Sequence, residues 1–198
     1  MIRPKQLFAQ YVHSLSALLE KIDPEAVERT VQQLRTVRDS GGTIYVAGNG
    51  GSAATGSHWV NDLGKATKRS GCPAFRVVSL SDNVSWLTAL ANDEGYERVF
   101  AGQLENFAQR NDILVVISAS GNSLNLVRAV ELARSRGVTT IALVGFSGGV
   151  LKDLVDYFLW LPTEQGCYEL VEDAHMVLCH VLTMCLSKDR PAVNGAES

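Results

Sequence analysis

The sequence predicts an α/β protein built on a doubly wound parallel sheet of five strands, with two helices ahead of the sheet and a long helix behind it. Three observations carry that prediction. Five short apolar runs rich in β-branched residues, 43–47, 74–80, 113–117, 138–144 and 157–161, have the length and composition of buried strands. Segments with helical spacing alternate with them, which is the pattern of parallel strands joined by helical crossovers. Two of the runs end in small polar loops, Gly48-Asn49-Gly50-Gly51-Ser52 and Ser118-Ala119-Ser120-Gly121-Asn122-Ser123. Ligands of such sheets bind beyond the carboxyl ends of strands, where the strand order reverses.

Bulk properties bound the rest. A chain of 198 residues with 46% hydrophobic and 20% charged content has enough material for one full core. A net charge of −3 argues against a general binder of nucleic acid or membrane surfaces. Cys72, Cys167, Cys179 and Cys185 form no CxxC pair and read as reduced thiols. The first 21 residues intersperse polar and charged groups, unlike a signal peptide or a membrane span. A cytoplasmic location is expected, with no direct nucleic-acid partner and no membrane.

Taken in order, residues 4–21 carry Leu7, Phe8, Tyr11, Val12, Leu15, Leu18 and Leu19 at helical spacing. Pro24 opens a second helix running to about Arg38. Neither helix belongs to a minimal alternating sheet, so residues 1–40 are expected to serve oligomerisation; a cover over the same subunit fits the periodicity equally. Residues 41–188 form the ligand-binding unit, and 189–198 a loose tail. Ser52 is placed to cap the helix that follows the first loop, and Ser81 or Asp82 to cap the helix of Val84, Leu87 and Leu90. Asn92 to Gly95 breaks that helix, Tyr96 to Gln109 resumes it, a short helix lies near 150–155, and the last helix spans about 167–187.

The loops suit a phosphate. Gly48, Gly50 and Gly51 let the backbone turn and approach a ligand, and free N–H groups of a helix start face the same loop. Ser118, Ser120 and Ser123 add three hydroxyls beside Gly121 and Asn122. Gly-Lys-Ser/Thr and a full GxGxxG are both missing, which excludes a Walker loop and the dinucleotide fingerprint. His58 and Asp62 share a helix face one turn apart, as a metal pair, an acid–base pair or a surface ion pair. Glu172, His175 and His180 stand on the otherwise apolar last helix, where unpartnered polar groups are costly. His175 is placed to pair with Glu172. His180 lies about 12 Å beyond Glu172 along a straight helix, so a single ion reached by both requires full stretch, or two copies of the helix at a subunit interface. Lys65, Lys68 and Arg69 read as a solvated basic loop, and Asp93 as a turn residue or a polyol acceptor.

These motifs resemble the sugar isomerase (SIS) domain, a flavodoxin-like fold, and within it the phosphoheptose isomerase branch. The resemblance is carried by Gly48 to Ser52, His58, Leu90-Ala91-Asn92-Asp93-Glu94-Gly95-Tyr96, Ser118 to Ser123, and Glu172 with His180, and it runs over nearly the whole chain. It implies interconversion of sedoheptulose 7-phosphate and D-glycero-D-manno-heptose 7-phosphate by a homotetramer with active sites between subunits. It implies phosphate held by Gly50, Gly51, Ser52, Ser118, Ser120, Asn122 and Ser123, with Asn49, Asn92, Asp93 and Glu172 near the sugar. It further implies Asp62 as base, His180 as acid/base partner, and one Zn²⁺ per subunit on His58, Asp62, Glu172 and His180.

Two positions depart from the family pattern: Asp62 stands where the family has glutamate, and Glu172 where it has glutamine. The shorter carboxylate can still ligate or take a proton. Glu172 adds negative charge that suits a cation and repels a phosphate. A related branch of the same fold associates with the bacterial replication initiator, and Ala53-Ala54 resembles that branch. The alternative expectation is therefore a non-catalytic protein that binds the initiator or senses a sugar phosphate.

Overall fold

The computed structural model describes residues 3–69 and 71–188; the expected C-terminal tail lies outside the described residues. The elements run α1 (Pro4–Leu19), α2 (Pro24–Asp39), β1 (Thr43–Gly48), α3 (Gly51–Asn61), β2 (Arg76–Ser79), α4 (Val84–Asp93), α5 (Ala101–Phe107), β3 (Ile113–Ser118), α6 (Leu124–Ser135), β4 (Thr139–Val144), α7 (Gly149–Leu154), β5 (Tyr157–Trp160) and α8 (Tyr168–Ser187). The five strands form one parallel sheet in the order β2-β1-β3-β4-β5. The order reverses between β1 and β3, so the loops after these two strands open on the switch point.

Alternation along the strands divides the core between two faces. Ile44, Val46, Ile113, Val115, Ile117, Ile141 and Leu143 point to the side covered by α2, α3 and α8. Tyr45, Ala47, Leu114, Val116, Ala142 and Val144 point to the side covered by α5, α6 and α7. Among the described residues α8 is the one helix long and apolar enough to cross a membrane. Its stripe of Val171, Ala174, His175, Leu178, Cys179, Leu182, Thr183 and Leu186 is buried in the first of these clusters or beside it, as a core helix requires.

Four local expectations are corrected. The N-cap of α3 is Gly50, at φ 54°, and Ser52 sits buried in the first turn without capping it. A left-handed backbone there favours glycine, which is why the hydroxyl residue lies two places further on. Asn83 caps α4 by accepting from the Trp86 N–H, while Asp82 accepts from the Ser57 hydroxyl at 2.5 Å. The segment 96–109 is a 3₁₀ turn (Tyr96–Arg98) followed by a short α5, not one helix. The polar stretch after α3 begins as a π-turn, Asp62–Ala66.

The two N-terminal helices differ in how far they are covered by this chain. Thr30, Val31, Leu34 and Val37 of α2 are buried in this chain, where α2 packs on β1, β5 and α8, and Leu18 of α1 is buried where α1 packs on α8. The outer half of α1 leaves Leu7, Phe8 and Val12 at 51%, 72% and 50% exposure.

Candidate active site

Helices α3 and α8 run against each other, and a buried polar bond fixes their register: the Trp59 indole N–H donates to the Thr183 hydroxyl at 3.2 Å. That register brings His58, the neighbour of Trp59, against His180, one turn before Thr183. Their Nε2 atoms stand 3.0 Å apart, and the rings meet edge to face. The Asp62 carboxylate lies 3.3 Å from His58 Nε2 and 3.7 Å from His180 Nε2. The three donor atoms all fall within 4.8 Å of one another. Two imidazole nitrogens this close cannot both carry a proton without repulsion, so one donates to the other or both face a shared cation. Two imidazoles and one carboxylate, with the histidines about half exposed and open to a further ligand, form a donor set that could hold a divalent metal.

Two turns away on the same helix pair, Glu172 of α8 lies over Gly51, the first residue of α3. A Cβ built on Gly51 would meet the Glu172 carboxylate where it stands, so the missing side chain lets the carboxylate lie close to the helix start. Glu172 also lines a cavity of about 170 Å³ with Asn49, Ser52, Ser118, Ser120, Ser123 and Tyr168. The Ser118 hydroxyl oxygen accepts the Gly121 N–H, and that of Ser120 the Asn122 N–H, leaving their O–H protons free to donate. Ser123 begins α6 without capping it through its side chain. The cavity therefore offers hydroxyl donors and a helix N-terminus to an anion. None of its lining residues is Lys or Arg.

The remaining candidates fall as follows. Gly50 caps α3 and supplies the turn into the cavity's rim. Asn122 accepts from the Val150 N–H and donates to the Ser120 carbonyl, so its side chain is spent on the loop. Asn92 donates to Asp93 at the exposed end of α4, and neither lines the cavity. Glu172 stands with the serines, apart from the His58–Asp62–His180 trio. His175 does not pair with Glu172. It is fully buried, and among the described residues neither ring nitrogen has a hydrogen-bond partner in good geometry.

A model of the SIS domain matches residues 10–145 of the chain. A phosphoheptose isomerase of Helicobacter pylori strain Shi470 is 38% identical over 186 residues, covering 93% of this chain and 94% of its own. This chain belongs to the phosphoheptose isomerase family of SIS-domain proteins. Solved structures agree. That of the phosphoheptose isomerase GmhA from Neisseria gonorrhoeae superposes with a TM-score of 0.84 at 29% identity, covering 93% of this chain and 97% of its own. A phosphoheptose isomerase from Francisella tularensis gives 0.85 at 25% identity, covering 95% and 100%.

Within this family member, sequence reasoning named Asn49 but missed Asn125 and the bonds that hold the two loops together. Asn49 and Asn125 exchange amide hydrogen bonds of 3.0 and 2.8 Å across the switch point. The Tyr96 hydroxyl adds a third bond to Asn49 at 3.0 Å. Asn125 is 3% exposed. Its signal was a buried-face position on α6 filled by an amide, costly unless bonded. Trp59 and Tyr168 were missed for another reason: an aromatic at a helical position reads as core until its partner is known.

Proposed function

We propose that this chain isomerises sedoheptulose 7-phosphate to D-glycero-D-manno-heptose 7-phosphate, and the observation that carries the reading is the spacing of two half-sites along one helix pair. The serine-lined cavity sits at Gly51 and Glu172, the proton-handling trio at His58 and His180. Seven residues of α3 separate them, about 10 Å of helix, a span on the scale of an extended sugar-phosphate chain. The phosphate occupies the cavity through Gly50, Gly51, Ser52, Ser118, Ser120 and Ser123, with Asn49 at its rim and Asn122 bracing the loop. The carbonyl end reaches the trio; Asn92 and Asp93, at the exposed end of α4, are assigned to the sugar by the family pattern alone.

Aldose–ketose conversion moves one proton between C1 and C2 and another between their oxygens. Asp62 takes the carbon-bound proton and returns it to the neighbouring carbon. His180 gives and recovers the oxygen-bound proton, with His58 Nε2 standing 3.0 Å from its own Nε2. A Zn²⁺ ion held by His58, Asp62 and His180 would polarise the carbonyl; the family pattern adds Glu172, which within one chain lies two turns away on α8 and would have to come from a second copy. The enzyme works in the cytoplasm as a homotetramer with sites at subunit interfaces. The exposed Leu7, Phe8 and Val12 of α1 and Met184 of α8 are the surface that other copies cover. The non-catalytic alternative loses ground to the assembled trio and to relatives named as isomerases.

The test is turnover of sedoheptulose 7-phosphate by metal-assayed protein beside Asp62→Asn and His180→Ala. Both variants should lose a factor of about 10² or more with melting temperatures close to wild type. An inactive, metal-replete wild type defeats the assignment.

A further inference from the structure

A second cavity adjoins the serine loop and contains none of the trio. It measures about 280 Å³ and lies among the loops that follow β3, β4 and β5, lined by Ser120, Asn122, Phe146, Ser147, Thr163 and Gln165. Among the described residues no ionisable side chain lines it; the walls are hydroxyls, two amides and one aromatic ring. Phe146 stands there at φ 44°, the one non-glycine residue in the left-handed region among those described. For a bulky side chain such a backbone is an outlier, and outliers of this kind gather at binding sites. It is held from both ends: the Phe146 N–H donates to the Thr163 hydroxyl oxygen at 3.3 Å, and its carbonyl accepts from the Trp160 indole at 3.0 Å. Two links join this cavity to the serine cavity. Phe146 meets Tyr168, which lines the serine cavity, edge to face at 5.1 Å, and Ser120 lines both. We infer that the second cavity is a binding site for an uncharged sugar ring, coupled through Ser120 to the phosphate in the serine cavity.

The lining selects the class of ligand. Hydroxyls and amides both donate and accept, which matches a polyol, and the aromatic wall suits the apolar C–H surface of a ring. The volume falls just under the ~300–1,000 Å³ of sites for larger ligands, so it fits a single ring. The coupling follows from the hydrogen bonds open to Ser120. Its oxygen already accepts the Asn122 N–H at 3.2 Å, which leaves one proton to give and one lone pair to fill. A phosphate takes the proton, because bonds to an ionised acceptor are the stronger kind. The lone pair then remains for a donor in the second cavity, and a sugar hydroxyl is one. In the chain from sugar O–H to Ser120 O–H to phosphate each bond polarises the next, so each ligand tightens the other by the same factor. The coupling rests on the phosphate reading of the serine cavity; the sugar site does not.

The experiment is calorimetric titration of methyl α-D-mannopyranoside, an uncharged ring with no free carbonyl, with and without a saturating hexitol 6-phosphate, which has no carbonyl to isomerise. Wild type is compared with the double variant Ser147→Ala/Gln165→Leu and with Ser120→Ala. Wild type should bind the ring saturably in the millimolar range, and about threefold or more tightly with the hexitol phosphate present. The double variant, changed at two exposed side chains, should lose about tenfold in ring affinity while binding the hexitol phosphate alone as wild type does. Ser120→Ala should bind the two ligands without coupling. No saturable ring binding by wild type, or ring binding that the double variant retains in full, overturns the sugar site. Equal ring affinity with and without the hexitol phosphate, or coupling that survives in Ser120→Ala, overturns the coupling. Failure of the phosphate reading shows separately, as hexitol phosphate binding that Ser118→Ala and Ser123→Ala leave unchanged; the coupling then falls with it, and ring binding by the double variant still decides the sugar site.

Discussion

His175 should make this fold lose stability in mild acid, by an amount its surroundings fix. The ring is wholly buried on the inner stripe of α8, and among the described residues neither nitrogen meets a partner in good hydrogen-bond geometry, the Val144 backbone being the polar group beside it. Burial pushes its pKa down from the usual 6.5 to about 4, and the Val144 backbone beside it pulls weakly the other way. Unfolding returns the ring to water and to its ordinary pKa, so between these two values the unfolded chain binds the extra proton. The contribution is complete above pH 6.5, falls as the pH drops from 6.5 towards 4, and is exhausted below that. A shift of this size corresponds to about 3 kcal/mol in total, of which about 2 kcal/mol is gone by pH 5. Urea unfolding of wild type and His175→Leu at pH 7.5, 6 and 5 isolates this group, because the other titrating side chains cancel between the two proteins. The stability difference should move by about 2 kcal/mol in favour of the leucine variant between pH 7.5 and 5. Parallel pH profiles would refute the reasoning, since they would mean that the ring has found a proton acceptor or is hydrated in the native state.

Other expectations are as direct. Gly121, at φ 65°, would drive a Cβ into the Gly148 carbonyl; Gly121→Ala should therefore cost about 2 kcal/mol or more, read as a drop in melting temperature, with weakened ligand binding. Trp59→Phe leaves the Thr183 hydroxyl without its partner and should cost about 1–3 kcal/mol, with loss of the visible Co²⁺ spectrum expected from the His58–His180 pair. Asn49→Ala and Asn125→Ala should each weaken sugar-phosphate binding, yet the double variant should be little worse than either single one, because each amide acts through the other. Chelation should lower the melting temperature, and saturating metal at a hundred times its Kd should restore about 2.7 kcal/mol of stability.

The parts of this fold legible in the sequence are those governed by local periodicity. The five strands, the helices between them and the two loops at strand ends all follow from apolar spacing and small polar breaks. What the sequence left open depends on which helices touch. His58 and Asp62 could be read as a pair because they lie one turn apart on α3. Their convergence with His180 depends on the Trp59–Thr183 contact, which spans 124 positions and has no local signal. The Asn49–Asn125 exchange spans 76 and was invisible for the same reason. The misplaced cap of α3 has a different cause: serine is the stronger capping type, but the turn out of β1 demands a left-handed residue at the cap itself, and Gly50 meets that demand.

The two departures from the family pattern then separate in their consequences. Replacing glutamate by aspartate at position 62 shortens the side chain by one methylene, a change that can cost about a hundredfold when it misplaces a reacting group by 1 Å. Here the shorter carboxylate still lies within 3.7 Å of both histidine nitrogens, at the residue where α3 passes into the π-turn. Such turns recur at functional sites because they shift a side chain without ending the helix. Position 172 is the opposite case. Its carboxylate keeps the length of the amide it replaces and changes only charge, inside a cavity whose lining residues carry no positive charge of their own. The first departure alters geometry, and the structure absorbs it within the trio. The second alters charge, in a cavity lined by serines and asparagine with no lysine or arginine among its lining residues.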